Sequence, residues 1–335
     1  MQALPRITLI TPSFQQAEYL EECLRSVHDQ GYPDLDHVVV DGGSTDGSAE
    51  VIKACADKLS WWCSENDQGQ SDALNKGLKI ATGEVFGWIN SDDLLLPGSL
   101  DRIGRAFAED HALVIYEGER IIINADGSRI AAKANDPSDH ISLFTKPCIN
   151  QQSTFYRMSA VRKAGGVDPA LHHVMDLELW WRVLFIHGAA HLRIDRAPTA
   201  EFRLHEASKT GKGLEPFIAE QASVLYNACK VNQFGDLAEV LAIGHHLRSD
   251  LRPMDVAAGH QEIVRKMTLS FLLKWNRTIY RQEQFDMMKV LVERVKKEEL
   301  LSLADPAVLD ELDRQLGASN WAMFRARRKW KHLFG

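Results

Sequence analysis

Between Ile7 and Asp93 the chain repeats one pattern, a short β-branched run, a polar break and then a helical stretch. Ile7-Thr8-Leu9-Ile10-Thr11 is apolar and stops at Pro12, and Ala17 to Gln30 follows with Leu20, Cys23, Leu24 and Val27 at helical spacing. His37-Val38-Val39-Val40-Asp41 reads as a second buried strand ended by Gly42-Gly43, and Ser44-Thr45-Asp46 supplies capping chemistry for a helix from Ala49 to Leu59. Ser71 to Ala81 reads as a helix closed by Gly83, and Val85 to Ile89 as a third strand running into Asn90-Ser91-Asp92-Asp93. This alternation restricts the chain to an α/β unit with a mainly parallel sheet, whose ligands bind beyond the carboxyl ends of the strands. Three such ends carry Thr11-Pro12-Ser13, Asp41-Gly42-Gly43 and Asp92-Asp93, so three polar clusters are expected along one edge.

Further on, Ala112 to Ile130 has a hairpin pattern with Ala125-Asp126-Gly127 at its turn. Asp176 to Phe185 is a tryptophan-rich helix, and Ala197 to Leu204 is extended. Gly211-Lys212-Gly213 reads as a boundary, beyond which helical stretches cover about 215–232, 236–248, 260–300 and 305–333. Two domains are therefore expected, 1–212 and an α-helical accessory region at 213–335. On a helical wheel Ala322, Met323, Ala326, Trp330, Leu333 and Phe334 share one arc, opposite Arg325, Arg327, Arg328, Lys329 and Lys331. Such a basic amphipathic tail suits peripheral contact with an anionic membrane surface.

Composition removes several function classes. A net charge of −7 argues against nucleic acid as a partner, which calls for a basic face. The five cysteines are scattered without a Cys-x-x-Cys, against a zinc ribbon, a redox pair or a disulfide framework. No apolar run approaches the roughly 18 residues of a membrane span, and no signal peptide precedes the first strand. The expected location is cytoplasmic, at most peripheral at the inner face of the cell membrane. No P-loop and no Gly-x-Gly-x-x-Gly follows any strand, against dinucleotide binding.

Adjacent carboxylates such as Asp92-Asp93 repel each other unless a cation neutralises them. A hard ion, Mg²⁺ or Mn²⁺, held by one or two carboxylates plus substrate phosphates, is the usual solution. Asp41 is an acceptor suited to the imide N–H of uracil or thymine, or to the pairing edge of guanine, and Gly42-Gly43 let a ligand approach the backbone. Arg203 and His205 lie two apart in an extended segment and so share a face. Gln151, just before the Thr154-Phe155-Tyr156 strand, is a candidate contact for an acceptor.

Together, Thr11-Pro12-Ser13-Phe14, Val40 to Gly47, Ser64-Glu65-Asn66-Asp67-Gln68-Gly69, Asp72 to Gly77, Asn90 to Asp93, Gly165-Gly166-Val167-Asp168, Met175 to Trp180 and Arg203 to Ser208 resemble the family 2 glycosyltransferases of the GT-A fold. The resemblance covers the first two-thirds of the chain. It implies a Rossmann-like nucleotide-diphospho-sugar transferase domain and inverting transfer of a sugar from a UDP-, dTDP- or GDP-sugar to a glycan or lipid-linked saccharide acceptor. Bacterial polysaccharide assembly is the implied setting. By the same resemblance Thr11, Ser13 and Asp41 line the nucleobase and ribose pocket with Asp67, Asn75 and Lys76 nearby. Asp92 faces the sugar or ribose, Asp93 binds the metal, His205 reaches the metal or diphosphate, Asp176 is the catalytic base, and Gln151 and Trp180 meet the acceptor. Asn90 departs from the family pattern, where a further acid is common, and so does Met175. Two other readings compete. A sugar nucleotidyltransferase needs a basic, Gly-rich phosphate loop near the N-terminus, and Thr11 to Glu22 contains no Lys or Arg. A catalytically inactive glycan-binding or scaffold relative has no need of the complete set Asp41, Asp92, Asp93 and Asp176.

Overall fold

The computed structural model describes residues 3–136, 138–206, 208–274, 282–297, 310, 314, 316 and 320–326. The chain opens with β1 (Ile7–Ser13), α1 (Ala17–His28), β2 (Leu35–Asp41), α2 (Ser48–Ala54), β3 (Trp61–Ser64), α3 (Gln70–Ile80) and β4 (Val85–Trp88). β1 is buried along its whole length, as a strand covered on both faces must be, which is why it reads as an unbroken apolar run. Two apolar clusters form around this part of the sheet. Ile7 and Leu9 pack with Cys23, Val27, Val85 and Ile89, while Leu20, Leu24, Val39 and Ile52 form a separate cluster. α1 therefore buries the stripe its spacing predicts, Leu20, Cys23, Leu24 and Val27.

β5 (Leu94–Leu95), α4 (Ser99–Glu109), β6 (Ile115–Ile123), β7 (Arg129–Ala132), α5 (Ser142–Thr145), β8 (Thr154–Arg157), α6 (Met158–Lys163), α7 (Met175–His187) and β9 (Leu192–Arg203) follow. Among the described residues all strands join one nine-stranded sheet, in the order β3-β2-β1-β4-β8-β6-β9-β5 with β7 beside β6. Its N-terminal half, β3 to β4, is parallel. Beyond β4 the sheet is mixed, because β8 runs antiparallel to both β4 and β6, and β9 lies parallel to β6 but antiparallel to β5. The parallel character read from the sequence thus belongs to the strand–helix repeat and does not extend to the hairpin β6–β7, whose turn is closed by Gly127 at φ +80°.

One expected cap is placed differently. α2 starts at Ser48 behind Gly47 at φ +103°, and of Ser44-Thr45-Asp46 it is Asp46 that meets the helix start. Asp46 accepts the amides of Ala17 and Ser48, tying the starts of α1 and α2 together.

The chain divides into two compact units, Met1–Leu143 with Pro147–Leu214, and Phe144–Lys146 with Glu215–Gly335. The second unit is helical: α8 (Glu215–Val231), α9 (Gly235–Gly244), α10 (Gln261–Lys274) and α11 (Gln282–Lys297). Its core includes Leu225, Cys229, Leu241, Val264, Met267 and Phe285. Buried Asn232 closes the connection after α9 by donating to the Met254 carbonyl and accepting the Val256 amide. Residues 321–326 are helical, and Trp321 and Phe324 pack around Phe285. Phe324 is buried while Ala322, Met323 and Ala326 are exposed, so in this stretch the apolar arc drawn from the wheel is not the face that packs. Trp330, Leu333, Phe334 and the basic residues from Arg327 on lie outside the described residues. Among the described residues no helix is long and apolar enough to cross a membrane.

Candidate active site

Parallel register sets the first part of the site. Ser13 pairs with Asp41 and Asp41 with Ser64, so the three stand side by side at the carboxyl ends of β1, β2 and β3. Asp41 is completely buried, and its carboxylate accepts the Ser44 amide at 2.9 Å, the Ser44 hydroxyl at 2.6 Å and the Ser64 hydroxyl at 2.6 Å. Next to it, the buried Ser13 hydroxyl has no hydrogen-bond partner among the described residues, a cost a polar group in an interior normally avoids. Thr11 points elsewhere. Its hydroxyl lies 3.0 Å from His37 Nε2, and His37 in turn meets His28 at 3.1 Å. Burial pushes the His37 pKa down to about 3, so this imidazole is neutral. Thr11 therefore serves the sheet interior with its side chain and the edge only with its backbone.

The two glycines after Asp41 have a reason other than the one expected. A Cβ on Gly42 would come within 2.9 Å of Asp67 Oδ2, and one on Gly43, at φ +79°, within 2.5 Å of Asn66 Oδ1. Side chains of the β3–α3 loop, not an open approach, fill that space. Asp67 is held there by the Gly69 amide at 2.8 Å, and burial raises its pKa.

The turn Asn90–Asp93 after β4 separates its two acids. Asp93 is wholly buried, receiving the Arg203 amide at 3.0 Å and Gln152 Nε2 at 3.4 Å. Burial, reinforced by Asp92, drives its pKa well above the carboxylate range. Asp92 keeps 15% of its side chain exposed, and its Oδ2 lies 3.0 Å from His205 Nε2. The sequence expectation placed Asp93 toward a metal and Asp92 toward the sugar. The structure turns Asp93 inward to close β9 onto the turn and leaves Asp92 as the carboxylate beside His205. Arg203 is anchored alongside, donating to the Asp92 carbonyl at 3.1 Å and to Glu22 at 2.8 Å, with its guanidinium 4.9 Å above the Tyr19 ring. Among the described residues no group of three or more His, Cys, Asp or Glu side chains gathers as a metal cluster.

Asp176 stands in the first turn of α7, its carboxylate accepting the Leu177 amide at 2.8 Å. Burial raises its pKa, and the nearby charges of Arg120 and Lys209 oppose that rise. The charge of Arg120 acts in the same direction on Asp93, and its guanidinium donates to Gln152 Oε1 at 3.4 Å. Tyr156, fully buried with no hydrogen-bond partner for its hydroxyl among the described residues, has its pKa raised by burial and then by the charge of Asp176.

Other expected contacts are placed elsewhere. Trp180 is completely buried and donates its indole N–H to the Leu143 carbonyl at 3.2 Å, so it belongs to the core and offers no surface to an acceptor. Asn75 spends both ends of its amide on the Val167 backbone, at 2.9 and 3.1 Å. Lys76 pairs with Glu65 at 2.9 Å and with Asp72 at 3.7 Å. Gln151 donates to the Trp88 carbonyl and accepts from Asn90. Sequence reasoning missed Arg120, Gln70 and Lys209, which lie near these groups but carry no motif spacing. It quoted Phe14 without assigning it a role. That ring is 60% exposed at the end of β1, where Gln15, at φ +54°, bonds Ser44 and Thr45.

Residues 8–163 match the sequence model of a family described as glycosyl transferase family 2. A Rickettsia typhi protein named as an uncharacterized glycosyltransferase is 26% identical over 218 residues, 63% of this chain and 67% of that one. The crystal structure of S. aureus TarS residues 1–349 with UDP-GlcNAc superposes with a TM-score of 0.59 at 15% identity, over 87% of this chain and 81% of the other. A mannosyltransferase from Pyrobaculum calidifontis, solved with GDP-Man and Mn²⁺, gives 0.51 at 16% identity over 94% and 88%. These likenesses agree with the polar edge built by β1 to β4, and residues 8–163 form a family 2 glycosyltransferase domain within a GT-A fold.

Proposed function

We propose that this enzyme is a metal-dependent inverting glycosyltransferase that moves a sugar from a nucleoside diphosphate to a hydroxyl of a glycan or lipid-linked acceptor. The observation that carries the reading is the Asp92–His205 pair at 3.0 Å, largely buried but still open to solvent, on the fold edge where β1 and β2 end in Ser13 and Asp41. Two donors suit a hard cation whose remaining ligands are diphosphate oxygens and water, as Mg²⁺ or Mn²⁺ sites of this kind use. Asp92 and His205 would hold the ion. When bound, it supplies positive charge to the departing diphosphate. Asp93, sealed behind Arg203, sets the turn that presents Asp92. The buried Ser13 hydroxyl and the exposed Phe14 ring are the groups this chain offers a nucleoside, one as a hydrogen-bond partner and one as a stacking face.

Asp176 is the general base. Its carboxylate takes the proton from the acceptor hydroxyl as that oxygen attacks the anomeric carbon, and the nucleoside diphosphate leaves from the opposite face, inverting the configuration. Burial raises its pKa and so strengthens the base, and the charges of Arg120 and Lys209 oppose that rise. The donor class is supported by the UDP-GlcNAc bound to TarS and the GDP-Man bound to the Pyrobaculum enzyme. Glycan or polysaccharide assembly is the setting this family suggests.

The test is a panel of UDP-, dTDP- and GDP-sugars with the purified protein in Mn²⁺, Mg²⁺ or EDTA. We expect release of one nucleoside diphosphate, inversion at the anomeric centre by NMR, and loss of turnover in EDTA. Full activity in EDTA removes the metal from the scheme. Failure to bind or consume any donor overturns the reading as a whole.

A further inference from the structure

Arg120 is a cation in the first unit that no acid answers. It stands on β6 opposite Ala200 of β9, with its guanidinium 5.0 Å over the Phe202 ring. Its Nε is buried and has no hydrogen-bond partner among the described residues, and its Nη1 makes one long bond, to Gln152 Oε1 at 3.4 Å. Most donors of this planar fork are therefore unused. The arginines around it differ, since Arg196 pairs with Glu119, Arg129 with Glu201 and Arg203 with Glu22. The charge of Arg120 does act on three acids, Asp93, Glu117 and Asp176, but each is engaged elsewhere. Asp93 accepts the Arg203 amide and Gln152, Glu117 accepts Asn135 Nδ2 at 2.9 Å and the Asn150 amide at 3.0 Å, and Asp176 accepts the Leu177 amide at 2.8 Å. Among the described residues the guanidinium meets Gln152 and Phe202, and none of the three acids pairs with it. Donors left idle in an interior are a cost that a bound acceptor removes.

Its place in the site points to the sugar. In an inverting transfer the base and the departing diphosphate stand on opposite sides of the anomeric carbon, so the transferred ring lies between Asp176 and the Asp92–His205 pair. Toward that pair the connection is direct. Gln152, which accepts from Arg120, donates to Asp93 at 3.4 Å in the Asn90–Asp93 turn. The residues on either side of Gln152 fix it there, Gln151 on the Trp88 carbonyl and Asn90, and Ser153 on the Glu119 carbonyl beside Arg120. Toward the base, the charge of Arg120 reaches Asp176. A cation beside both ends flanks the ring that spans them. Its chemistry suits that place, because a guanidinium fork donates to two neighbouring oxygens, and ring hydroxyls, an acyl carbonyl or a sugar carboxylate all accept.

We propose that Arg120 donates to oxygens of the sugar being transferred and so sets which donor sugar the enzyme accepts. The proposal rests on the nucleotide-sugar reading above. That reading names groups for the nucleoside, the cation and the acceptor proton, and Arg120 supplies the contact to the sugar itself.

The experiment is calorimetric binding of a panel of UDP-, dTDP- and GDP-sugars, and of UDP, dTDP and GDP without the sugar, to the full chain with Mn²⁺. Arg120→Met should weaken the nucleotide sugar that wild type binds best by about 10-fold or more, the weight of a charge-assisted bond. Affinity for the matching nucleoside diphosphate should change less than about twofold. Preference among sugars on that same nucleotide should shrink by a similar factor, read as kcat/KM ratios. Arg120→Lys keeps a cation over Phe202 but loses the fork, so it should show the same losses in smaller measure, and it serves where Arg120→Met does not fold by circular dichroism. A structural role alone weakens nucleotide and nucleotide sugar alike, so equal losses overturn the proposal. Sugar binding and sugar preference unchanged in both variants overturn it too, as does a wild type that binds a nucleoside diphosphate but gains no affinity from any sugar. Wild type that binds no nucleotide and no nucleotide sugar overturns the nucleotide-sugar reading itself, and this inference falls with it.

Discussion

Replacing Asp92 and Asp93 in turn separates the two tasks that burial assigns them. Alanine at position 93 leaves the part-buried Arg203 amide without its acceptor at 3.0 Å. An unpaired buried donor costs about 1–3 kcal/mol. Taking about 2 kcal/mol, and about 2–4 °C of Tm per kcal/mol in a domain of this size, Asp93→Ala should lower Tm by about 4–8 °C. Asp93→Asn keeps an oxygen for Arg203 and loses only the 3.4 Å contact with Gln152, so its loss should stay within about 1 kcal/mol. The asparagine also removes a pH-dependent cost. Because burial raises the folded-state pKa of Asp93, its ionisation opposes folding as pH rises, and the gap between Asp93→Asn and wild type should narrow toward alkaline pH.

Asp92→Asn should behave in the opposite way. Its carboxylate is partly exposed and paired with one imidazole, so stability should shift by less than about 1 kcal/mol. Mn²⁺-dependent nucleotide binding and turnover should be lost. Differential scanning fluorimetry with and without Mn²⁺ and nucleoside diphosphate reads both effects on the same samples. If Asp93→Asn abolishes metal-dependent binding at an unchanged apo Tm while Asp92→Asn retains it, Asp93 is the ligand and the argument from burial is wrong.

Three further outcomes can be checked. Asp176→Asn should cut turnover about 10²–10⁴-fold with nucleotide affinity nearly unchanged, and the wild-type acid limb of kcat/KM should lie above the ordinary aspartate range, since burial raises that pKa; a limb near pH 4 would move the base elsewhere. Glu117, buried in β6 and bonded to Asn135 and to the Asn150 amide, is pushed up by burial to about 7. The folded state then holds its proton more tightly than the unfolded chain, so stability should fall by about 3 kcal/mol from about pH 4.5 to 7 and level off above. Glu117→Gln should flatten that slope in urea titrations, and an unchanged slope would assign it to other groups. Arg182→Met should cost about 3–5 kcal/mol by stranding the buried Glu178 carboxylate, and pairing it with Glu178→Met should restore much of the loss; a double variant as unstable as the single one would shift the weight to the bonds from Arg182 to the Ala164 and Gly166 carbonyls.

Elements buried on both faces were legible in the sequence because burial wrote itself as composition. β1, β2 and β4 are near-continuous apolar runs, and α1 carries one clean stripe. β3 shows no such run because it lies at the sheet edge with its first and last residues exposed, and β5 is only two residues long. The mixed half was harder for a different reason. β8 pairs with β4 through Gly87, where a Cβ would strike the Phe155 ring at 2.4 Å, and that fit joins residues far apart in the chain.

The motif residues were found, but their orientations were not, and orientation decides their chemistry. Neighbouring acids are equivalent on paper; an amide 110 residues away, that of Arg203, selects Asp93 for the interior and so leaves Asp92 to face His205. The same logic removes Asn75 from the nucleotide, since Val167, 92 residues on, takes both ends of its amide. Thr11 is turned inward by His37, whose lowered pKa follows from burial and not from any motif. In each case a distant partner fixes what a local pattern offers. Asn90 extends the point to residues that break the pattern, because its amide has a donor and an acceptor on either side that an acid could not serve together. A departure from a family motif can therefore mark a rewired network, and whether it does is decided by the hydrogen bonds on both sides of the new side chain.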